Sequence, residues 1–141
     1  MKWTLVPAVL LATSALVMAG AQSTAVTYAD HAKVEKGGSV AASPDYTVSM
    51  ASRSGAGQVE VHEKETDIFY VTDGEATFIT GGTMIGGKVS RPNQLLGTDI
   101  QGGETHHLSR GDVIVIPAGT PHWFKEVPNS IKYFMVKSIK Q

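Results

Sequence analysis

Gly111-Asp112-Val113-Ile114-Val115-Ile116-Pro117-Ala118-Gly119-Thr120-Pro121-His122-Trp123-Phe124-Lys125-Glu126 reads as a strand, a tight return and a second strand. Arg110, Gly111 and Asp112 make a turn. Val113, Ile114, Val115 and Ile116 form an unbroken, largely β-branched apolar run, which predicts a strand that fills a core. Pro117 removes a ladder donor and Gly119 relaxes the backbone, so the chain turns back there. His122 then opens the next strand with its imidazole expected to face inward. A neutral imidazole in that position is a ligand type suited to iron, manganese, nickel, copper or zinc.

The segments around this stretch are strands as well. Residues 58–62 alternate, with Val59 and Val61 on one face and Glu60 and His62 on the other. Ile68, Phe69, Tyr70 and Val71 predict a strand, Asp73-Gly74 a hairpin turn, and residues 75–80 the return strand. Residues 104–108 and 130–139 have the same character. In the latter, Ile131, Tyr133, Met135 and Lys137 alternate with Lys132, Phe134, Val136 and Ser138. No convincing amphipathic helix follows Gln22, and short strands separated by turn signals predict an all-β sandwich or barrel. Residues 81–103 stand apart, with Gly81, Gly82, Gly86, Gly87, Gly97, Gly102 and Gly103 around Arg91-Pro92-Asn93. They read as a long insertion between two strands, with room for a short hairpin, serving either as a functional cover or as an exposed spacer.

Residues 111–126 resemble the second motif of the cupin family, G-x5-P-x-G-x2-H-x3-N, in Gly111, Pro117, Gly119 and His122, with Glu126 in place of the final Asn. Residues 60–74 resemble the first motif, H-x-H-x(3,4)-E-x6-G. Aligned on Gly74, Asp67 stands at the carboxylate position, His62 at the second His and Glu60 at the first. The resemblance covers roughly residues 46–136. It implies a jelly-roll or double-stranded β-helix barrel. It also implies a site for a divalent ion (Fe, Mn, Zn, Ni or Cu) formed by Glu60, His62, Asp67 and His122. Two His and two carboxylates replace the usual three His and one carboxylate, a set still compatible with Fe(II), Mn(II) or Zn(II). His106 shares a face with Leu108 and is a further ligand or a group supporting one, a hydrogen-bonded core histidine or an outer-face residue.

The beginning of the chain has a different composition. Lys2 is followed by a mostly apolar run over residues 3–18, interrupted by Pro7, and by Ala19-Gly20-Ala21. This is the pattern of a secretory signal cleaved after Ala21. The expected division is a signal peptide over residues 1–21, an N-terminal extension over 22–43 and a barrel domain over 44–141. The expected location is secreted or periplasmic, with no stable membrane span after cleavage.

Composition excludes some functions. With 12 basic and 13 acidic residues the formal net charge is −1, so no basic field recruits nucleic acid. The chain has no cysteine, which rules out disulfides, thiol chemistry and iron–sulfur clusters. Two functions stay open. One is a metal-dependent enzyme of oxygenase, isomerase or lyase type acting on a small organic molecule, with Glu60 or Asp67 as candidate general base if free of the metal. The other is a barrel that binds a small ligand without metal or turnover. The resemblance also implies a homodimer.

Overall fold

The computed structural model of the chain describes residues 25–140, so the segment read as a signal peptide lies outside the described residues. A five-residue helix, α1 (His31–Glu35), is capped by the Asp30 carboxylate accepting from the Lys33 N–H. Twelve strands follow: β1 (Gly38–Ala42), β2 (Tyr46–Arg53), β3 (Val59–His62), β4 (Glu65–Thr80), β5 (Thr83–Ile85), β6 (Lys88–Arg91), β7 (Gln94–Gly97), β8 (Asp99–Gln101), β9 (Glu104–Ser109), β10 (Val113–Ile116), β11 (His122–Glu126) and β12 (Ile131–Ile139). Every strand pairing is antiparallel.

Ten strands form one continuous sheet that folds back on itself, because β4 belongs to both halves. Residues 65–74 of β4 lie between β12 and β10, with β2 and β1 beyond β12. Residues 75–80 lie between β9 and β11, with β3, β7 and β6 beyond β11. This is the all-β barrel expected from the sequence. Asp73-Gly74, however, is not a hairpin turn. The chain runs through it as one strand and passes from one half of the sheet to the other. Gly74 has φ +76°, and a Cβ there would lie 1.9 Å from the Ser130 carbonyl oxygen. A register shift opposite Lys132 and Tyr133 leaves Thr72 as the extra residue. The turn-type dipeptide is thus a bulged corner, where glycine allows close backbone approach.

The main core lies between the two halves. It contains Phe69, Val71, Ala76, Phe78, Leu108, Ile116, Phe124, Val127, Ile131 and Tyr133. Phe78 meets Phe124 edge-on at 4.6 Å, and Phe69 lies 4.8 Å from Tyr133. β10 does not fill this core along its whole length as its apolar run suggested. Ile114 and Ile116 turn inward, whereas Val113 and Val115 are 63% and 55% exposed on the outer face. A continuous apolar run has no period, so it cannot reveal that one face of an edge strand is uncovered.

The glycine-rich insertion is ordered structure rather than a long loop. β6 and β7 form a hairpin at Pro92-Asn93, and β7 pairs with β3 along its whole length. β5 and β8 form a separate two-stranded sheet. Its Met84 and Ile100 pack against Val59, Ile79 and Trp123, making a second small core on the outer face of the barrel.

Candidate metal centre

Glu60 and His62 are two residues apart on β3, so the period of the strand turns both side chains to the interior. β3 is held between β11, where His122 is opposite Glu60, and β7, where Leu96 and Gln94 are opposite Glu60 and His62. The insertion therefore helps to fix the strand that carries two of the expected ligands. The Pro117–Pro121 return is tied to the same region. Gly119 N–H donates to the His62 carbonyl at 2.8 Å, and Ala118 N–H donates to Thr66 Oγ1 at 3.4 Å. This places His122 beside His62, with ring centroids 5.1 Å apart.

Glu60, His62, Asp67 and His122 all meet at one end of the barrel interior, but not as four equivalent donors. His62 Nδ1 donates to Asp67 Oδ2 at 2.9 Å, while its Nε2 lies 3.3 Å from Glu60 Oε2. His122 Nδ1 donates to the Thr120 carbonyl at 3.0 Å, and its Nε2 lies 3.6 Å from Asp67 Oδ2. Two donor groups share His62. One is Glu60, His62 and His122, and the other is His62, Glu65 and Asp67; in each, the donor atoms lie within 4.8 Å of one another.

The second group already surrounds a cation. Lys137, on β12 directly opposite Asp67, donates to Asp67 Oδ1 and Glu65 Oε2, both at 2.8 Å. Its Nζ also stands 3.0 Å from His62 Nδ1. The Asp67 carboxylate bridges these two donors, one oxygen to each. The first group faces a cavity of about 30 Å³ whose lining includes Glu60, Asp67 and His122. Glu60, His62 and His122 could hold a divalent ion. Both imidazoles have Nδ1 anchored by an acceptor, which leaves Nε2 as the ligating nitrogen.

Burial alone would lower the His62 pKa, but its hydrogen bonds to Asp67 and Glu60 overcome this and raise it to about 9. Without a metal, His62 is therefore a protonated imidazolium at neutral pH, donating to both carboxylates. The His62 hydrogen bond holds Glu60 below the ordinary carboxylate range. Burial opposes ionisation of Asp67 and Glu65. The His62 bond and Lys137 outweigh it at Asp67, and Lys137 outweighs it at Glu65, so both are also lowered. His122 is pushed down by burial against a smaller upward pull from the Thr120 carbonyl, so it stays neutral. Buried ionised groups persist only when paired in this way.

His106 lies outside both donor groups. It is half-buried on β9 opposite Phe78, and its Nε2 is 2.8 Å from Thr80 Oγ1. Of the Trp123–Phe124 pair, Phe124 faces inward and Trp123 packs under the insertion. Lys137 and Glu65 are site residues that the sequence reading passed over. The signal for Lys137 was its phase: it continues the inward series Ile131, Tyr133 and Met135, and a lysine in register with a buried face needs a partner.

Solved structures that resemble the fold include the following three. TT1209 from Thermus thermophilus has 18% identity over 82% of this chain and 100% of its own, with TM-score 0.55. The cupin domain of Cnp3 from Schizosaccharomyces pombe has 10% identity over 74% of this chain, with TM-score 0.53, and this chain spans only 60% of that one's length. An uncharacterized conserved protein with a double-stranded β-helix domain from Klebsiella pneumoniae subsp. pneumoniae has 18% identity over 73% of this chain and 75% of its own, with TM-score 0.50. At these identities the likeness concerns the fold alone. No curated protein sequence matches the chain. The cupin family profile matches residues 19–139, a span that contains both motifs, the folded-back sheet and the inward histidines, and the chain belongs to the cupin family.

Proposed function

We propose that this protein is an exported cupin with a mononuclear divalent-metal centre held by Glu60, His62 and His122, acting on a small organic molecule. The observation that carries this reading is the anchoring of both imidazoles through Nδ1, with His62 and His122 in one donor group with Glu60. Two His and one carboxylate, with coordination positions left open, suit Fe(II), Mn(II) or Zn(II), and Ni(II) and Cu(II) also favour imidazole. A bound metal would supply Lewis-acid or redox chemistry of oxygenase, isomerase or lyase type. Asp67 acts as support: it orients His62 and neutralises Lys137, and in the metal-free protein Glu60 is the better-placed general base. Export rests on the basic, apolar and small-residue pattern of residues 1–21. A homodimer is consistent with Tyr70, Val113 and Val115, which leave the outer face around β4 and β10 apolar and exposed.

A second reading, a ligand-binding barrel without metal, is favoured by two observations. The ion-pair network is complete without a metal, and a cavity of about 30 Å³ has no room for a whole organic substrate. Elemental mass spectrometry of the purified protein and of a His62→Ala/His122→Ala double variant separates the two. Near-stoichiometric metal in the first and none in the second is expected, with circular dichroism confirming that the variant is folded. Absence of metal from the parent protein after exposure to Fe(II), Mn(II), Zn(II), Ni(II) and Cu(II) would leave the binding barrel as the function.

A further inference from the structure

The helix α1 lies outside the barrel and has no buried residue. It is hinged to β1 at Gly37, whose N–H donates to the Val34 carbonyl at 3.0 Å and whose φ is +74°. A Cβ at Gly37 would stand 3.5 Å from the Met50 carbonyl oxygen, so the chain comes close to β2 at this point. The helix itself does not pack down on the sheet. Val34 and Met50 line a groove of about 690 Å³ between them. Small-molecule sites run to roughly 300–1,000 Å³, whereas the barrel interior offers about 30 Å³.

The groove is apolar on its floor and basic at one end. Ala51 and Tyr133 belong to the main core, so strand alternation turns Met50 and Phe134 outward, where they are directly opposite each other. Lys132 precedes Phe134 by two residues and therefore stands on the same outer face. Arg110 is brought to this end by the turn before β10, where Gly111 N–H donates to the Val71 carbonyl and Val71 N–H donates to the Asp112 carbonyl, both at 2.9 Å. Thr72, the extra residue of the bulged corner, donates its hydroxyl proton to the Lys132 carbonyl at 3.1 Å. The corner thus gathers two cations beside one apolar floor. Neither Arg110 nor Lys132 has a carboxylate at ion-pair distance among the described residues. The carboxylate on the groove wall, Glu35, lies 3.2 Å from His31 Nε2 on the same helix. Exposed lysines and arginines are ordinary when scattered singly. Here two free ones share the end of a groove whose roof and floor each present an apolar side chain.

We propose that this groove binds a single-chain organic anion, with its acidic head between Arg110 and Lys132 and its apolar chain between Val34 and Met50. Guanidinium and ammonium supply donors to a carboxylate or sulfate head, and the chain is drawn from water by the apolar floor. The site lies on the outer face of β2 and β12, whereas the metal centre lies on the inner face, so it holds whether or not the barrel binds a metal.

The test is calorimetry of the purified protein with octanoate, with neutral octanol and with butyrate. NMR of the Met50 methyl, assigned by its loss in Met50→Leu, reports the place of binding. Octanoate should bind at one equivalent and shift the methyl saturably, with octanol and butyrate each weaker by about fivefold or more. The double variant Arg110→Gln/Lys132→Gln, whose side chains are exposed, should keep the thermal transition and weaken octanoate about tenfold. The His62→Ala/His122→Ala variant should bind octanoate as the parent does, which separates this site from the metal reading. The proposal is overturned if octanol binds as tightly as octanoate, if the Arg110/Lys132 variant binds like the parent, or if heat is released while the Met50 methyl stays in place. Loss of octanoate binding in the folded His62/His122 variant would put the anion inside the barrel and overturn it too. Capture of the protein by phosphatidylglycerol vesicles without any octanoate binding would make this a membrane-facing surface instead of a small-molecule site.

Discussion

The two ends of the barrel interior are built on the same strands and do opposite things. β4 contributes Asp67 to one end and Phe69 to the other, β11 contributes His122 and Phe124, and β12 contributes Lys137 and Tyr133. A step of two residues, or four on β12, takes the chain from a charged cluster to stacked aromatics. The aromatic end contributes burial that no single partner controls. The charged end is costly on its own and persists because each group has a partner within hydrogen-bond distance. The two ends touch where the Phe78 ring lies 6.1 Å from that of His122, and experiment can test how far stability and binding separate.

The largest effect is expected at the aromatic end. Phe78→Ala should cost about 3–5 kcal/mol in chemical denaturation, because the ring is fully buried and its removal leaves a void. Zinc stoichiometry in the molecules that remain folded should not change. A loss of zinc in that folded fraction would show that the two ends are coupled and break the comparison.

Lys137→Met should follow, at about 3 kcal/mol, since it leaves Glu65 and Asp67 ionised without their cation. The freed carboxylates of Glu65 and Asp67 then form a second place that attracts a divalent ion. Added zinc should restore stability to this variant beyond its effect on the parent, with a second equivalent bound. A variant as stable as the parent without metal would mean that Lys137 is not the cation on which this end depends.

The pH dependence is somewhat smaller. The folded-state pKa of His62 is raised from the ordinary 6.5 to about 9, so the stability it contributes is fully present below pH 6.5 and is lost as pH rises through 9. The loss in the metal-free protein should reach no more than about 3 kcal/mol. Glu60, Glu65 and Asp67 act in the opposite direction. Their pKa values are lowered, so their contribution is present above the ordinary carboxylate values of 4.5 and 3.8 and is lost on acidification. Denaturation midpoints should therefore be highest between about pH 4.5 and 6.5. Zinc affinity should rise across the upper window, because the metal displaces the His62 proton. A flat profile from pH 6.5 to 9 would rule out the imidazolium held between Asp67 and Glu60.

The smallest effect is expected outside the barrel. Val115→Ser should change monomer stability by less than about 0.5 kcal/mol, since the side chain is 55% exposed. A larger, concentration-dependent loss would show that a second copy covers this face, and light scattering would then give a dimer for the parent and a lighter species for the variant.

Much of the architecture could be read residue by residue. Alternation at Glu60 and His62 placed both inward, and the spacing of Gly111, Pro117, Gly119 and His122 located the return that brings His122 to β3. Asp73-Gly74 misled because the same dipeptide serves a hairpin or a bulged corner, and only the approach of the Ser130 carbonyl distinguishes them. The insertion could not be placed because its few apolar residues, Met84 and Ile100 among them, have meaning only against Trp123, Ile79 and Val59. Lys137 was in phase with the core and so visible in principle, but its partners lie about 70 residues earlier in the chain.

By itself the sequence determined the period of the strands around the site, the return between Pro117 and Pro121 and the donor types available to the interior, because these depend on neighbouring residues. Tertiary structure decided which nitrogen of each histidine is free, which carboxylates are already engaged by Lys137 and how little space remains beside Glu60. Those properties depend on side chains that meet only after the sheet has folded back on itself, where distances of about 3 Å rather than sequence spacing set hydrogen bonding and charge.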